Sequence, residues 1–520
     1  MGLWLGRVLT IPAPLHDEAI TLLAAKASEQ DYFLRLRDWR PPFGVIVPAA
    51  QWQDFTRGYE PLTLRAVRDD LRAQDLHPPL GFWLFNLWLS LFLHGGYLEA
   101  KVLTLILVLL TAAAVRGSAC ELGLGAHASA ATALLLLSNS AILTATYVRQ
   151  YALLGLVFAL LLWASLRTAR NVESGRESFA EAAAIGALAL AGMLTQYVFA
   201  LLAAPLLTGL LLVCVLRKRR TTAVALALSL SLAGVVFLVF QGAGAAAGRR
   251  DWGVASGGEA LAEAARGFAN AFPLLPAGVP SDGALLLGVA CIGLLLALAV
   301  VAWRSQRALG ARLVAASAIA TIALLLASIA ARVLPPRSID PAYALGIVIL
   351  MVLLVGVALA ASGRRWLRRM AWLVIVLLAI DEGGYIAWRL VKREPATAQL
   401  AARLQPDLVW TDESRRGHLL PLTMAMGEGQ QVLVSPLDDL DLRLHAGALD
   451  ALRTVLVLVE DDASTRRVKT ILRMFEGAGW SAERLPTLHP GYHDAVLARH
   501  QPRAGAAAAA ASAVPVESPR

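Results

Sequence analysis

The chain has 520 residues, of which 57% are hydrophobic and only 16% charged, and its mean hydropathy is +0.60. A soluble globular chain is about half apolar and about a quarter charged, so an ordinary soluble domain is excluded and a polytopic membrane protein is implied. The net charge of +9 does not argue for a nucleic-acid partner, because the basic residues sit in short clusters between apolar runs, as the positive-inside rule requires.

Residues 1–13 (MGLWLGRVLTIPA) are apolar apart from Arg7. As a helix they reach about 20 Å, short of the roughly 30 Å hydrocarbon core, so 1–14 reads as a partial first span. A mostly polar stretch follows from Leu15 to Leu80. It opens with His16-Asp17-Glu18-Ala19 and closes with Asp75-Leu76-His77-Pro78-Pro79-Leu80. Acidic residues and histidines at the edge of a bilayer are costly and mark function.

Apolar runs then recur at 100–116, 126–146, 150–166, 180–195, 198–216, 221–240, 283–303, 311–331, 341–361 and 370–390. Four basic clusters fix their orientation: Arg167/Arg170/Arg176, Arg217 to Arg220, Arg304/Arg307/Arg312, and Arg364-Arg365 with Arg368-Arg369. With all four on the cytoplasmic side, both ends of 79–94 (PLGFWLFNLWLSLFLH) fall on the outer side. That run is therefore expected to lie in the interface, anchored by Phe82, Trp83, Phe85, Trp88 and Phe92. The same reasoning places 15–99, 241–282, 332–340 and everything after about Leu390 outside.

From about Pro395 the composition turns soluble. Asp407–Thr411, Gln431–Ser435 and Thr454–Glu460 read as strands, and Glu413–Met426 and Ser464–Gly477 as helices. This alternation predicts a small α/β domain over 395–502. It has no glycine fingerprint for a nucleotide. Residues 503–520 are low-complexity and are expected to be disordered. The three cysteines lie in or beside apolar runs, with no metal spacing and no disulfide framework.

Several outer-face residues could bear chemistry. Asp17-Glu18 reads either as a helix start, with Asp17 at the N-cap and a helix to about Gln30, or as a carboxylate pair. In a pair, one member is a general base and the other orients it or binds a cation. In Asp75-x-His77-Pro78-Pro79 the prolines pre-set a helix start that Asp75 or His77 caps; the same rigidity would hold His77 against a phosphate. Arg149, within Tyr147-Val148-Arg149-Gln150-Tyr151, either snorkels to headgroups or pairs bidentately with a lipid phosphate. Gln196-Tyr197 marks a tight outer turn, and Arg332 and Arg337 flank Pro335-Pro336. Each alone is a weak signal; their collection on one face is the stronger one.

In this order and topology the residues resemble the GT-C superfamily of membrane glycosyltransferases. The resemblance is to the protein O-mannosyltransferase-like branch, which includes lipid A aminoarabinose transferases and bacterial lipopolysaccharide-core sugar transferases. The motifs are Asp-Glu-Ala (Asp17 to Ala19), Asp-x-His-Pro-Pro-Leu (Asp75 to Leu80, the most specific) and Arg-x-Tyr-Ala-Leu (Arg149 to Leu153). They cover 1–220; residues 221–390 agree by span pattern alone. Two positions depart: many relatives have Glu where this chain has Tyr147, and His-Tyr where it has Gln196-Tyr197.

The resemblance implies a fold of ten to eleven spans with a small outer α/β domain. It also implies transfer of a sugar from a polyprenyl phosphate to a hydroxyl of an envelope glycan, lipid or protein acceptor, on the outer face of a bacterial inner membrane. It makes Asp17 the base, with Glu18 beside it, and points to Asp75, His77, Arg149, Tyr151, Gln196, Tyr197 and Arg337 as lipid-phosphate or substrate contacts. Some members use a divalent cation, Mg or Mn, for which Asp17 and Glu18 would be the ligands here. Two other classes compete. A transporter or flippase would show midplane charges and paired repeats, which this sequence lacks. A non-catalytic homologue acting as a scaffold would explain the two departures.

Overall fold

The computed structural model describes residues 16–74, 77–92, 95–177, 179–241, 257–271, 281–305, 308–331, 333–334, 344–392, 397–412, 416–460, 464–485 and 493–500. The partial first span, Asp75, Arg332, Arg337 and the tail 503–520 lie outside the described residues. The chain forms two compact units, one containing Ala24–Ala27 and Tyr59–Val391, the other Ala13–Leu23, Ser28–Gly58 and Lys392–Arg520.

The first unit is a helical bundle, and the chain is a multi-pass membrane protein. Seven described helices are long and apolar enough to cross a bilayer: Tyr97–Glu121, Tyr151–Glu173, Phe199–Leu216, Arg220–Val239, Asp282–Arg304, Leu309–Ala330 and Leu345–Ser362. His127–Leu136 and Asn139–Thr146 make an eighth if that pair, bent by 53°, is one span. The bend replaces the single run expected at 126–146, and its cause is local. Ser138 is extended, at φ −69° and ψ 143°, and its hydroxyl accepts from the Ala141 N–H at 3.2 Å, restarting the helix. Serine favours a cap over a helix interior because its hydroxyl competes for backbone groups. The runs at 180–195 and 370–390 are also helical, within Phe179–Thr195 and Arg365–Lys392. The 241–282 loop contains a helix, Gly257–Ala271, that its composition did not announce.

Three contacts fix how the helices run. At one end of Tyr97–Glu121, the Thr104 hydroxyl donates to the Ala145 carbonyl at 2.8 Å. At its other end Glu121 pairs with Arg170 at 2.8 Å, near the end of Tyr151–Glu173. These two helices therefore run parallel. Asn171 donates to Glu181 at 2.7 Å, at the start of Phe179–Thr195, which therefore runs back. The beginnings of the first two helices and the end of the third thus share one end of the bundle. The basic residues Arg167 and Arg170 occupy the opposite end.

The second unit is built on a six-stranded sheet in the order β1-β3-β2-β4-β6-β5. The strands are β1 Val47–Pro48, β2 Leu408–Thr411, β3 Gln431–Val434, β4 Thr454–Glu460, β5 Trp480–Leu485 and β6 His493–His500. β2 pairs parallel with both β3 and β4; the other pairings are antiparallel. Alternate residues feed opposite faces. Leu408, Trp410, Val455 and Val457 pack with Ile471 and Phe475 of the helix Ser464–Gly477. Val409, Val432, Leu456 and Leu458 pack with Leu419, Leu420 and Leu422, but also with Tyr32, Phe43, Trp52 and Phe55. The N-terminal polar stretch therefore helps cover one sheet face and adds edge strand β1, with Val47 opposite Val432. Buried Gln53 reinforces this by donating to the carbonyls of Thr423 and Met426 at 3.0 and 2.9 Å.

This corrects the expected division. Residues 15–99 are not one loop domain: 28–58 belong with the C-terminal sheet and 59–99 with the bundle. The boundary falls inside the helix His16–Ala25. The domain expected at 395–502 is incomplete without 28–58, because a sheet with two apolar faces needs a cover on each.

Trp52 is fully buried, edge-on to Phe43 at 4.9 Å. Trp52→Ala is expected to cost about 3–5 kcal/mol. Hydrogen exchange of the full chain should show protection lost in β2 and β3 and retained in the bundle. Asp407 clamps β2 to β4 by accepting from the N–H groups of Arg453 and Thr454 at 2.7 and 2.8 Å. Burial pushes its carboxyl up, but these bonds outweigh that and hold it below its ordinary 3.8. A lowered carboxyl stabilises above its unfolded pKa and loses that contribution as pH falls through the folded one. The stability gap between wild type and Asp407→Asn should therefore close on acidification below pH 3.8, as read by thermal unfolding across a pH series.

Candidate functional site

Helix Leu80–Leu89 has 10 residues and reaches about 15 Å, too short to cross. Its N-cap position is Pro79, which makes no side-chain capping bond. Its aromatic residues divide differently from the expected interfacial set. Phe82 and Phe85 are buried in protein. Trp83 and Trp88 spend their indole N–H groups on the carbonyls of Leu64 and Glu99, at 2.7 and 2.8 Å. Buried Asn86 donates to the Thr63 hydroxyl at 2.9 Å and the Ala25 carbonyl at 3.2 Å. Leu87, Leu91 and Phe92 are the large apolar side chains left exposed here. The helix is thus pinned by polar bonds on one side and presents a narrower apolar strip on the other.

The second and third motifs meet through a glycine. A Cβ on Gly81 would lie 2.5 Å from the Cβ of Gln150, so only glycine permits this approach. It brings Gly81 against Gln150, at the end of a turn in which the Arg149 N–H bonds the Tyr147 carbonyl at 2.8 Å. Helix Tyr151–Glu173 starts immediately after, with Gln150 at its N-cap. Arg149 is 6% exposed, so this arginine is held in protein and does not snorkel outward. A guanidinium beside the positive end of a helix suits an anion. The rings of Tyr147 and Tyr151 stack at 6.3 Å with a 22° tilt, and His77 lies edge-on to Phe82 at 6.3 Å.

Gln196 and Tyr197 follow the end of Phe179–Thr195, at the same end of the bundle. The Gln196 carboxamide oxygen accepts from the Tyr197 N–H at 3.0 Å, and the Tyr197 ring meets Phe237 edge-on at 6.1 Å. The structure therefore brings His77, Arg149, Tyr151, Gln196 and Tyr197 to one end of the bundle.

Asp17 and Glu18 belong to the other unit. They lie in the first turn of His16–Ala25, which ends at Ala25 and not near Gln30. Asp17 is within the helix, not its cap, and its carbonyl accepts from the Thr21 hydroxyl at 3.0 Å. Asp17 is half-buried and Glu18 is buried. Among the described residues no group of three or more His, Cys, Asp or Glu side chains is arranged to hold a metal.

Sequence reasoning missed Lys101 and passed over Gln150. Lys101 is buried, with its ammonium 4.3 Å from the centroid of the Tyr97 ring. It lies one turn from Thr104, which bonds Ala145, and so it is a second cation at the Arg149 end. The available signal was a lysine at the start of an apolar span.

No family model matches the chain, and no curated protein matches it. Solved structures do. ArnT from Cupriavidus metallidurans bound to undecaprenyl phosphate is similar at 14% identity and a TM-score of 0.48, covering 82% of this chain and 89% of that one. The apo state of that protein is similar at 14% identity and a TM-score of 0.39, covering 88% and 95%.

Gly81→Ala forces a methyl group into the Gln150 contact. Overpacking of this kind costs about 1–3 kcal/mol. The variant should unfold at a lower temperature than wild type, whereas Gly293→Ala, with open space around it, should not.

Proposed function

We propose that the protein is a glycosyltransferase that moves a sugar from a polyprenyl phosphate to a hydroxyl of an envelope lipid, polysaccharide or protein, on the outer face of a bacterial inner membrane. The observation that supports this most is the Gly81–Gln150 approach. It sets the residue that follows Asp-x-His-Pro-Pro-Leu against the second residue of Arg-x-Tyr-Ala-Leu.

The reaction breaks the bond between the anomeric carbon and the phosphate oxygen, and the electron pair leaves with the polyprenyl phosphate. The acceptor oxygen bonds to the anomeric carbon from the opposite face, with inversion, and its proton passes to a base. The departing phosphate gains charge, so fixed cations near it stabilise the transition state more than the ground state. Arg149 precedes the Tyr151 helix start, and Lys101 lies at the same end of the bundle; both are buried, where exclusion of water strengthens a charge's field. His77, Tyr151, Gln196 and Tyr197 line the same end; Asp75 and Arg337 are assigned with them from the sequence. The lipid chain explains a site at the bilayer edge, and the exposed strip Leu87, Leu91 and Phe92 suits a lipid interface.

Asp17 is proposed as the base. Its half-buried carboxylate is next to the fully buried Glu18, which is assigned the orienting role or, with Asp17, a Mg or Mn ion. Removing a general base costs about 10²–10⁴-fold in rate.

Asp17→Asn is expected to abolish transfer while leaving expression and membrane insertion intact. Lipid extraction and mass spectrometry of surface glycans should show one sugar missing, with its prenyl-phosphate donor accumulating, both in cells lacking the protein and in cells carrying the variant. Unchanged glycans in both would refute the enzyme reading. Loss only in cells lacking the protein would remove Asp17 as the base.

A further inference from the structure

Four amide side chains are buried among the described residues: Gln53, Asn86, Gln150 and Gln196. Gln53 donates to two carbonyls, Asn86 donates to Thr63 and Ala25, and Gln196 accepts from Tyr197. Gln150 differs. It is 1% exposed, and neither its amide nitrogen nor its amide oxygen has a hydrogen-bond partner. A buried polar group left unmade costs about 1–3 kcal/mol, and this residue leaves both a donor and an acceptor unmade.

The position offers no structural reason for the amide. Gln150 stands at the N-cap of Tyr151–Glu173, yet its side chain makes no capping bond. Its packing role is met by the aliphatic stem, whose Cβ faces Gly81. A methionine would serve that role as well without burying unpaired polar atoms.

We infer that Gln150 is a specificity-determining residue that binds the hydroxyl groups of the donor sugar, an inference that rests on the glycosyltransferase reading above. The chemistry of the amide selects this ligand. A phosphate ester only accepts, and so would satisfy the N–H groups and leave the carbonyl unpaired. A sugar hydroxyl both donates and accepts, and two neighbouring hydroxyls can meet both ends of one carboxamide. The adjacent Arg149, whose guanidinium donates and never accepts, takes the phosphate. The two consecutive residues thus divide the donor between them: the charged residue holds the leaving group and the neutral amide reads the sugar. Gly81 matters to the same end, because any side chain there would push on the stem that carries the amide.

The test uses the full chain in detergent. Its probes are undecaprenyl phosphate alone and a set of undecaprenyl phosphoryl-hexoses and -pentoses, with binding read as Kd and as ligand-induced Tm shift. Wild type is expected to bind undecaprenyl phosphate and to bind one of the sugar esters more tightly. Gln150→Met should bind undecaprenyl phosphate as wild type does but lose about tenfold or more on the preferred ester, the equivalent of one to two hydrogen bonds. Its ligand-free Tm should equal or exceed that of wild type, since an unpaired buried amide has been removed. Gln150→Asn, which keeps the amide but withdraws it by one methylene, should lose the ester preference as well. A lower ligand-free Tm for Gln150→Met would make the residue structural and overturn the inference. Equal losses on phosphate and ester would assign it to the phosphate and overturn it too, as would an unaltered ester preference in both variants. Wild type that binds neither class of lipid would refute the donor class itself, and this inference with it.

Discussion

The parallel pairing of Tyr97–Glu121 with Tyr151–Glu173 is the constraint on which the bundle depends. One end is tied directly, Glu121 to Arg170, and the other indirectly, Thr104 bonding Ala145 in the short helix Asn139–Thr146 that leads into Tyr151–Glu173. Between them, Gly117 lies flat against Trp163, where a Cβ would come within 2.7 Å of the indole. In an apolar medium there is little hydrophobic drive between helices, so small residues and polar bonds set register. Register here has a chemical consequence. It brings Lys101 level with the turn that presents Arg149, and fixes the end at which the next helix delivers Gln196.

Glycines set the finer geometry by the same physics. Gly81 admits Gln150, Gly155 admits Leu345, and Gly192 admits Phe199; a Cβ at any of them would fall within 2.5 Å of its neighbour. The bundle is therefore tightly packed at the Arg149 end. The unpaired amide of Gln150 stands at the same tightly packed end, its stem against Gly81.

The second unit answers a different constraint. A sheet with three parallel central strands is apolar on both faces, and each face must be covered. Ser464–Gly477 is prominent on one side. The other takes Tyr32, Phe43, Trp52 and Phe55 from a segment hundreds of residues earlier in the chain. That segment looks polar in sequence because its aromatics are spaced among charges, as in Asp31-Tyr32-Phe33-Leu34-Arg35.

By itself the sequence determined what depends on local composition. All ten expected spans fall on helices, because runs of Ala, Leu and Val have one satisfactory conformation in a bilayer. The strands β2, β3 and β4 and the helix Ser464–Gly477 were legible from period and punctuation, and β5 and β6 were not, since Trp480 to Leu485 reads as polar. The motif residues His77 and Arg149 were legible as types. Only the tertiary structure decided which of them meet, because a contact between Gly81 and Gln150 across 69 positions leaves no periodic trace. It alone gave Val47 and Trp52 to the C-terminal sheet, and it alone distinguished Gln150 from other buried amides. Burial and hydrogen-bond satisfaction are properties of the packed chain, and a residue's type does not reveal them.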